Sequence, residues 1–94
     1  MKSAKVIKAE LAELLGKAER TVGNVGQWVH NYEFQSGLSS IEIWIGDKGG
    51  SRVNQYEATC KLGGLSTELR AKTFSALSKK IISVVLERVQ GYSK

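Results

Sequence analysis

One cysteine, one histidine, one aspartate and no proline stand in this 94-residue chain. A single thiol, Cys60, cannot form an internal disulfide, which excludes the cysteine-stapled scaffolds of small secreted proteins. A structural zinc site needs about four Cys or His ligands, and Cys60 with His30 supplies two of them. Asp47 alone cannot make the acidic loop that calcium requires. No window approaches the ~18 apolar residues of a membrane span, since the Ile81–Leu86 run is short. Behind the N-terminal Met1-Lys2-Ser3-Ala4-Lys5, charges at Lys8, Glu10 and Glu13 interrupt any leader-like apolar stretch. These gaps point to a cytoplasmic protein with neither metal nor other cofactor. Neither a repeat nor a low-complexity tract marks a linker, so residues 1–94 read as a single domain.

What is present is ordinary globular material, 41% apolar and 24% charged. Folding a chain of this size removes roughly 60–65% of its extended-chain surface, enough for a modest core without staples. Fourteen basic against nine acidic residues give a net charge of +5. Residues 1–25 hold five basic and three acidic groups, and residues 66–94 hold six and two. The middle, residues 26–65, holds three and four, so the basicity belongs to the flanks. Basic flanks suit nucleic acid or an acidic protein surface, and equally a solvated lysine face.

Periodicity divides the chain. Ala4, Ile7, Leu11, Leu14, Leu15, Ala18 and Val22 recur at helical spacing, which predicts a helix over about 3–22. Gly23-Asn24-Val25-Gly26 ends it, with Gly23 or Asn24 suited to a left-handed position. From residue 27 the period becomes two. Trp28, His30, Tyr32 and Phe34 share one face; Ile41, Ile43 and Ile45 share the next strand's core face, opposite Trp44. Tyr56, Ala58, Cys60 and Leu62 line a third strand that starts near Arg52. Ser36-Gly37-Leu38-Ser39-Ser40 and Gly46-Asp47-Lys48-Gly49-Gly50-Ser51 read as turns. After Gly63-Gly64, Ser66 or Thr67 can cap a second helix over about 67–90, with Phe74, Leu77, Ile81, Val84, Val85 and Val89 inward and Gly91 as its stop. The expected fold is a two-layer α+β domain in the order α-β-β-β-α. A three-stranded antiparallel meander over about 27–62 is packed on one face by two amphipathic helices. The other face stays open to water or a partner, and a homodimer through it fits the pattern.

Enzyme chemistry finds little footing. Nucleophilic catalysis needs an activated Ser, Cys or Thr beside a base. His30 and Cys60 could be neighbours across the sheet, but both fall on the core alternation. The glycines around Asp47 fail the phosphate-loop pattern, because Ser51-Arg52 follows where Lys-Ser/Thr is needed. Glu33, Glu42 and Glu57 read as a solvated strand face rather than a paired acid and base. The reading is a non-enzymatic binding protein.

Three features carry binding. Trp44 stands on the face opposite the isoleucines, among Val29, Glu33, Glu42, Glu57 and Thr59, which suits an interface anchor. It could equally cover a thin sheet by packing on Val29 and Val53. A one-residue slip of register would exchange it for the isoleucines. Lys72 and Lys79, two turns apart on the second helix with Lys80 beside them, could meet successive phosphates or simply face solvent. Lys48 and Arg52 flank a Gly-rich tip that could enter a groove. Trp44, Glu42, Glu57 and Thr59 are thus the candidate sites for a protein partner. Lys48, Arg52, Arg70, Lys72, Lys79 and Lys80 are those for nucleic acid.

The α-β-β-β-α order with a basic second helix resembles the topology of double-stranded-RNA-binding domains. That family carries Gly-Pro-x-His between its first two strands and opens its second helix with Lys-Lys-x-Ala-Lys. Here the loop reads Ser36-Gly37-Leu38-Ser39-Ser40, and the helix opens Glu68-Leu69-Arg70-Ala71-Lys72, so the likeness is one of topology. In size and lack of catalytic residues the chain also resembles accessory proteins of bacteriophages and mobile elements, anti-CRISPR proteins among them. That resemblance implies an inhibitor that binds a host protein, and a mixed-charge face around Trp44 suits a protein better than a phosphate backbone.

Overall fold

The computed structural model describes residues 2–35, 39–47 and 56–92. The elements run α1 (Ala4–Val25), β1 (Gln27–Gln35), β2 (Ser39–Asp47), β3 (Tyr56–Leu62), β4 (Leu65–Ala71) and α2 (Phe74–Tyr92). The fold is α+β with one antiparallel sheet in the order β1-β2-β3-β4.

The fourth strand corrects the expected three. Gly63 and Gly64 make a two-residue hairpin between the paired Leu62 and Leu65. Gly63 has φ 62°, and Gly64 has no positive φ, as a type II′ turn requires. The chain therefore turns back and pairs Ser66 through Ala71 with β3, where a helix from Thr67 was expected. The helix starts one segment later. Thr73 Oγ1 accepts from Ala76 N at 3.1 Å, and Leu77 N donates to Thr73 O at 3.1 Å. This takes Glu68–Ala71 into a strand and Lys72 into the bend before α2, so the two-turn helical spacing of Lys72 and Lys79 does not exist. The six-element order also departs from the three-stranded arrangement of double-stranded-RNA-binding domains.

Smaller boundaries move for local reasons. Ser3 caps α1, its Oγ accepting from Val6 N at 3.3 Å. At the other end the helix runs past Gly23 and Asn24 to Val25, and Gly26 takes the left-handed position at φ 88°, donating to Val22 O at 2.9 Å. Ser39-Ser40 and Gly46-Asp47, expected in turns, extend β2, and α2 continues through Gly91 to Tyr92. The rest of the expected turns, residues 36–38 and 48–51, and the expected start of the third strand at 52–55, with Arg52 and Val53, lie outside the described residues.

The core forms between one face of the sheet and both helices. Ile7, Leu11, Leu15, Ala18 and Val22 of α1 and Phe74, Leu77, Ile81, Val85 and Val89 of α2 are buried as the helical stripes foresee, while Leu14 and Val84 are half-buried and Ala4, expected inward at the helix start, is exposed. They meet Tyr32, Phe34, Ile41, Ile43, Ile45, Ala58 and Cys60 from the sheet. Burying each large aliphatic side chain contributes about 1.5–3 kcal/mol, set against the entropy of ordering the chain. Helix α1 lies against β1 and β2, and α2 against β3 and β4. The second pairing is tied by Arg88 Nη2 donating to Thr67 Oγ1 at 2.7 Å, and by an edge-to-face contact of Tyr56 with Phe74. The full burial of Ile41, Ile43 and Ile45 settles the register, with Trp44 half-buried on the opposite side.

Candidate interaction face

The outward face of the sheet is a grid set by strand register. In the central row Val29 stands opposite Trp44, Trp44 opposite Thr59, and Thr59 opposite Glu68. One row along, Asn31, Glu42, Lys61 and Ser66 face one another in the same order. On the other side Gln27, Gly46, Glu57 and Arg70 complete the lattice. Neighbours within a row sit about 4.8 Å apart along the hydrogen-bond direction, so one partner surface can touch all four strands.

Trp44 occupies the centre, and Gly46 is why it can lie down there. A Cβ built at Gly46 would fall 2.5 Å from Trp44 Cζ2 and closer still to Cη2. The six-membered ring therefore fills the space in which a side chain at Gly46 would begin. Two depressions flank the indole. One, of about 420 Å³, is bounded by Glu42, Thr59, Lys61, Ser66 and Glu68. The other, of about 180 Å³, is bounded by Glu57, Thr59, Glu68 and Arg70. Val29, 55% exposed, extends the apolar centre towards β1.

Charge on this face runs against that of the chain. Glu33, Glu42, Glu57 and Glu68 face Lys61 and Arg70 across the described strands, a net of two negative charges on a protein of net charge +5. Arg70 Nε meets Glu57 Oε1 at 3.1 Å, which removes both from the balance. The Glu42 and Glu68 carboxylates make no hydrogen bond or ion pair with a described residue.

The candidate protein-binding residues Trp44, Glu42, Glu57 and Thr59 do come together here. Glu33 lies off the centre, opposite Ser40. Glu68 and Gly46 belong to the site and were missed. Glu68 was hidden by assigning its strand to a helix, although Ser66, Glu68 and Arg70 alternate behind a Gly-Gly hairpin signal. The candidate nucleic-acid residues that are described stand on three elements. Arg70 sits on the acidic sheet face, Lys72 in a bend, and Lys79 and Lys80 on exposed positions of α2. Lys80 Nζ reaches back to Arg70 O at 2.7 Å, which blunts the β4 edge. Lys48 and Arg52 lie outside the described residues.

His30 and Cys60 are not neighbours, because Ile43 stands between them, opposite His30 on one side and Cys60 on the other. Burial pushes the Cys60 thiol up to about 11, with the charge of Arg88 pulling the other way, and His30 stacks on Trp28 at 5.5 Å. A groove of about 460 Å³ runs between α1 and β1, past Lys2, Glu10, Glu13, Lys17, His30 and Tyr32. Its central polar groups serve each other. Lys2 Nζ donates to Glu10 Oε1 at 2.8 Å and to Glu33 O at 3.0 Å, and Tyr32 OH donates to Glu10 Oε1 at 2.7 Å. The hydrogen bond from Lys2, then that from Tyr32, holds the Glu10 carboxyl below its ordinary value. Burial first, and then the bond to Glu10, raises the Tyr32 phenol. With Lys2 N donating to Phe34 O at 3.2 Å, this cluster pins the N-terminal segment along β1.

No helix among the described residues is long and apolar enough to cross a membrane. Comparison with protein-family models, with curated proteins and with solved structures finds no match to this chain.

Proposed function

We propose that this chain is a small, non-enzymatic interaction protein that binds another protein through the open face of its sheet and modulates it by covering the contacted surface. The observation that carries the reading is the row Val29–Trp44–Thr59–Glu68, which spans all four strands opposite the packed helices. A half-buried tryptophan at the centre of a flat, mixed-polarity surface supplies a large contact area with one polar handle, as binding hot spots do. Blocking a partner in this way requires no catalytic group. A face carrying Glu42 and Glu68 repels phosphates, which favours protein over nucleic acid as the occupant.

The test is capture from a lysate of the source cells on immobilised chain, run side by side with Trp44→Ala and with Lys79→Ala. A protein retained by the parent and by Lys79→Ala, but lost with Trp44→Ala, supports the reading. Identical retention by all three would remove the sheet face from consideration. Circular dichroism of each variant checks that the fold is kept.

A further inference from the structure

The chemistry of the open face also specifies what should meet it. Trp44 is centred between two depressions, and each is bordered by a carboxylate that forms no ion pair with a described residue: Glu42 on one side of the indole, Glu68 shared by both. Lys61, opposite Glu42 in the register, offsets part of this charge, and Arg70 is already held by Glu57. The surface therefore presents an aromatic ring with unspent negative charge within a few residues of it. A guanidinium satisfies both at once, since it is planar enough to pack on an indole and forks its donors onto a carboxylate.

Long-range repulsion from a chain of net charge +5 does not prevent this. The helices that carry most of the lysines pack on the other side of the sheet, with Lys80 at the β4 edge, and screening over about 8 Å at physiological salt leaves the local face to decide the encounter. The edges leave less room for a strand to add. β1 is met by the Lys2 backbone at Phe34 O, and β4 by Lys80 at Arg70 O, so the flat face is the better docking surface.

Resting on the docking reading above, we propose that the occupant of this face is an arginine-bearing segment of the partner protein, with a guanidinium packed against Trp44 and bonded to Glu42 or Glu68.

The experiment uses the full chain and short peptides rich in arginine, lysine or glutamate as probes, followed by amide and indole N–H resonances at two salt concentrations. Trp44→Phe assigns the two indole signals. The expected result is a shift of the Trp44 indole and of the outward residues of β2, β3 and β4 with the arginine peptide. Its binding should be tighter than that of the lysine peptide, weaker at high salt, and reduced about tenfold by Glu42→Gln combined with Glu68→Gln. No shift at Trp44, equal binding to the double variant, or shifts confined to the helices would overturn the assignment. So would binding of duplex RNA through Lys79 and Lys80 with no response to the peptide. If capture of a protein depends on Trp44 while the arginine peptide leaves its indole unmoved, the docking face stands and the arginine assignment falls. If neither depends on Trp44, both fall.

Discussion

Trp44 lies over Gly46, its neighbour two residues along the same strand, and the missing side chain at Gly46 gives the indole its place on the sheet. Side chains at positions two apart share a face of a strand, so a tryptophan that folds along its own strand must meet the residue two places on. Gly46→Ala should push the ring off the sheet. The expected cost is about 1 kcal/mol, the scale of an off-rotamer side chain and lost contacts. Denaturant unfolding should report that loss, together with a red shift of Trp44 emission. In a Trp44→Ala background the same substitution should cost less. Equal costs in both backgrounds would show that the contact carries no energy.

How much of this face could be read in advance is clear from its two halves. Val29, Trp44 and Thr59 were legible from the alternation of Ile41, Ile43 and Ile45, although a one-residue slip stayed open until the burial of the isoleucines decided it. Glu68 was not. Leu69-Arg70-Ala71 are good helix formers, and Ser66 or Thr67 before them imitates a cap, so intrinsic preference favoured a helix. Pairing with β3 overrode it, since Thr67, Leu69 and Ala71 half-bury one side of the strand while Ser66, Glu68 and Arg70 face out. Gly63-Gly64 between two leucines was the stronger signal. The Gly26 cap went unread for a similar reason, because Gly23 and Asn24 offered earlier stops that the helix passes over. The central pairing of Trp44 with Gly46 could not have been foreseen, since it depends on a rotamer.

The cluster at Lys2, Glu10 and Tyr32 should mark both ends of the pH-stability curve. Glu10 is held below the ordinary 4.5, so the folded chain binds fewer protons than the unfolded chain there. Its contribution is present above that value and is lost as pH falls below it. Glu10→Gln should flatten the acid limb. Tyr32 is raised above the ordinary 10, so its contribution is complete below pH 10 and disappears as pH rises beyond it. Absorbance titration should show one phenolate lagging, and Tyr32→Phe should abolish the lag. Simultaneous ionisation of every tyrosine would sink this account.

Cys60 should be silent in the folded protein. It is 2% exposed, and its thiol is raised to about 11, so the thiolate is scarce at pH 8. An aromatic disulfide reagent should label it at least ~100-fold more slowly than in the denatured chain, at a rate that follows unfolding. Labelling as fast as that of the denatured chain would instead expose a reactive thiol and reopen covalent chemistry. Cys60→Ser should slightly destabilise the chain and leave capture of a partner unchanged.

The boundary between β4 and α2 can be tested through two hydroxyls. Thr73 Oγ1 accepts from Ala76 N and closes the first turn of α2. Ser66, which the sequence offered as a cap, stands exposed on the outer face of β4 opposite Lys61. Thr73→Ala should therefore cost about 1 kcal/mol, the usual loss of a helix cap, while Ser66→Ala should change stability by less than about 0.5 kcal/mol. Amide exchange should separate the two as well, with faster exchange at Ala76 and Leu77 after Thr73→Ala alone. If Ser66→Ala were the variant that frayed the helix, the segment 66–71 would be helical and Glu68 would leave the face that Trp44 centres.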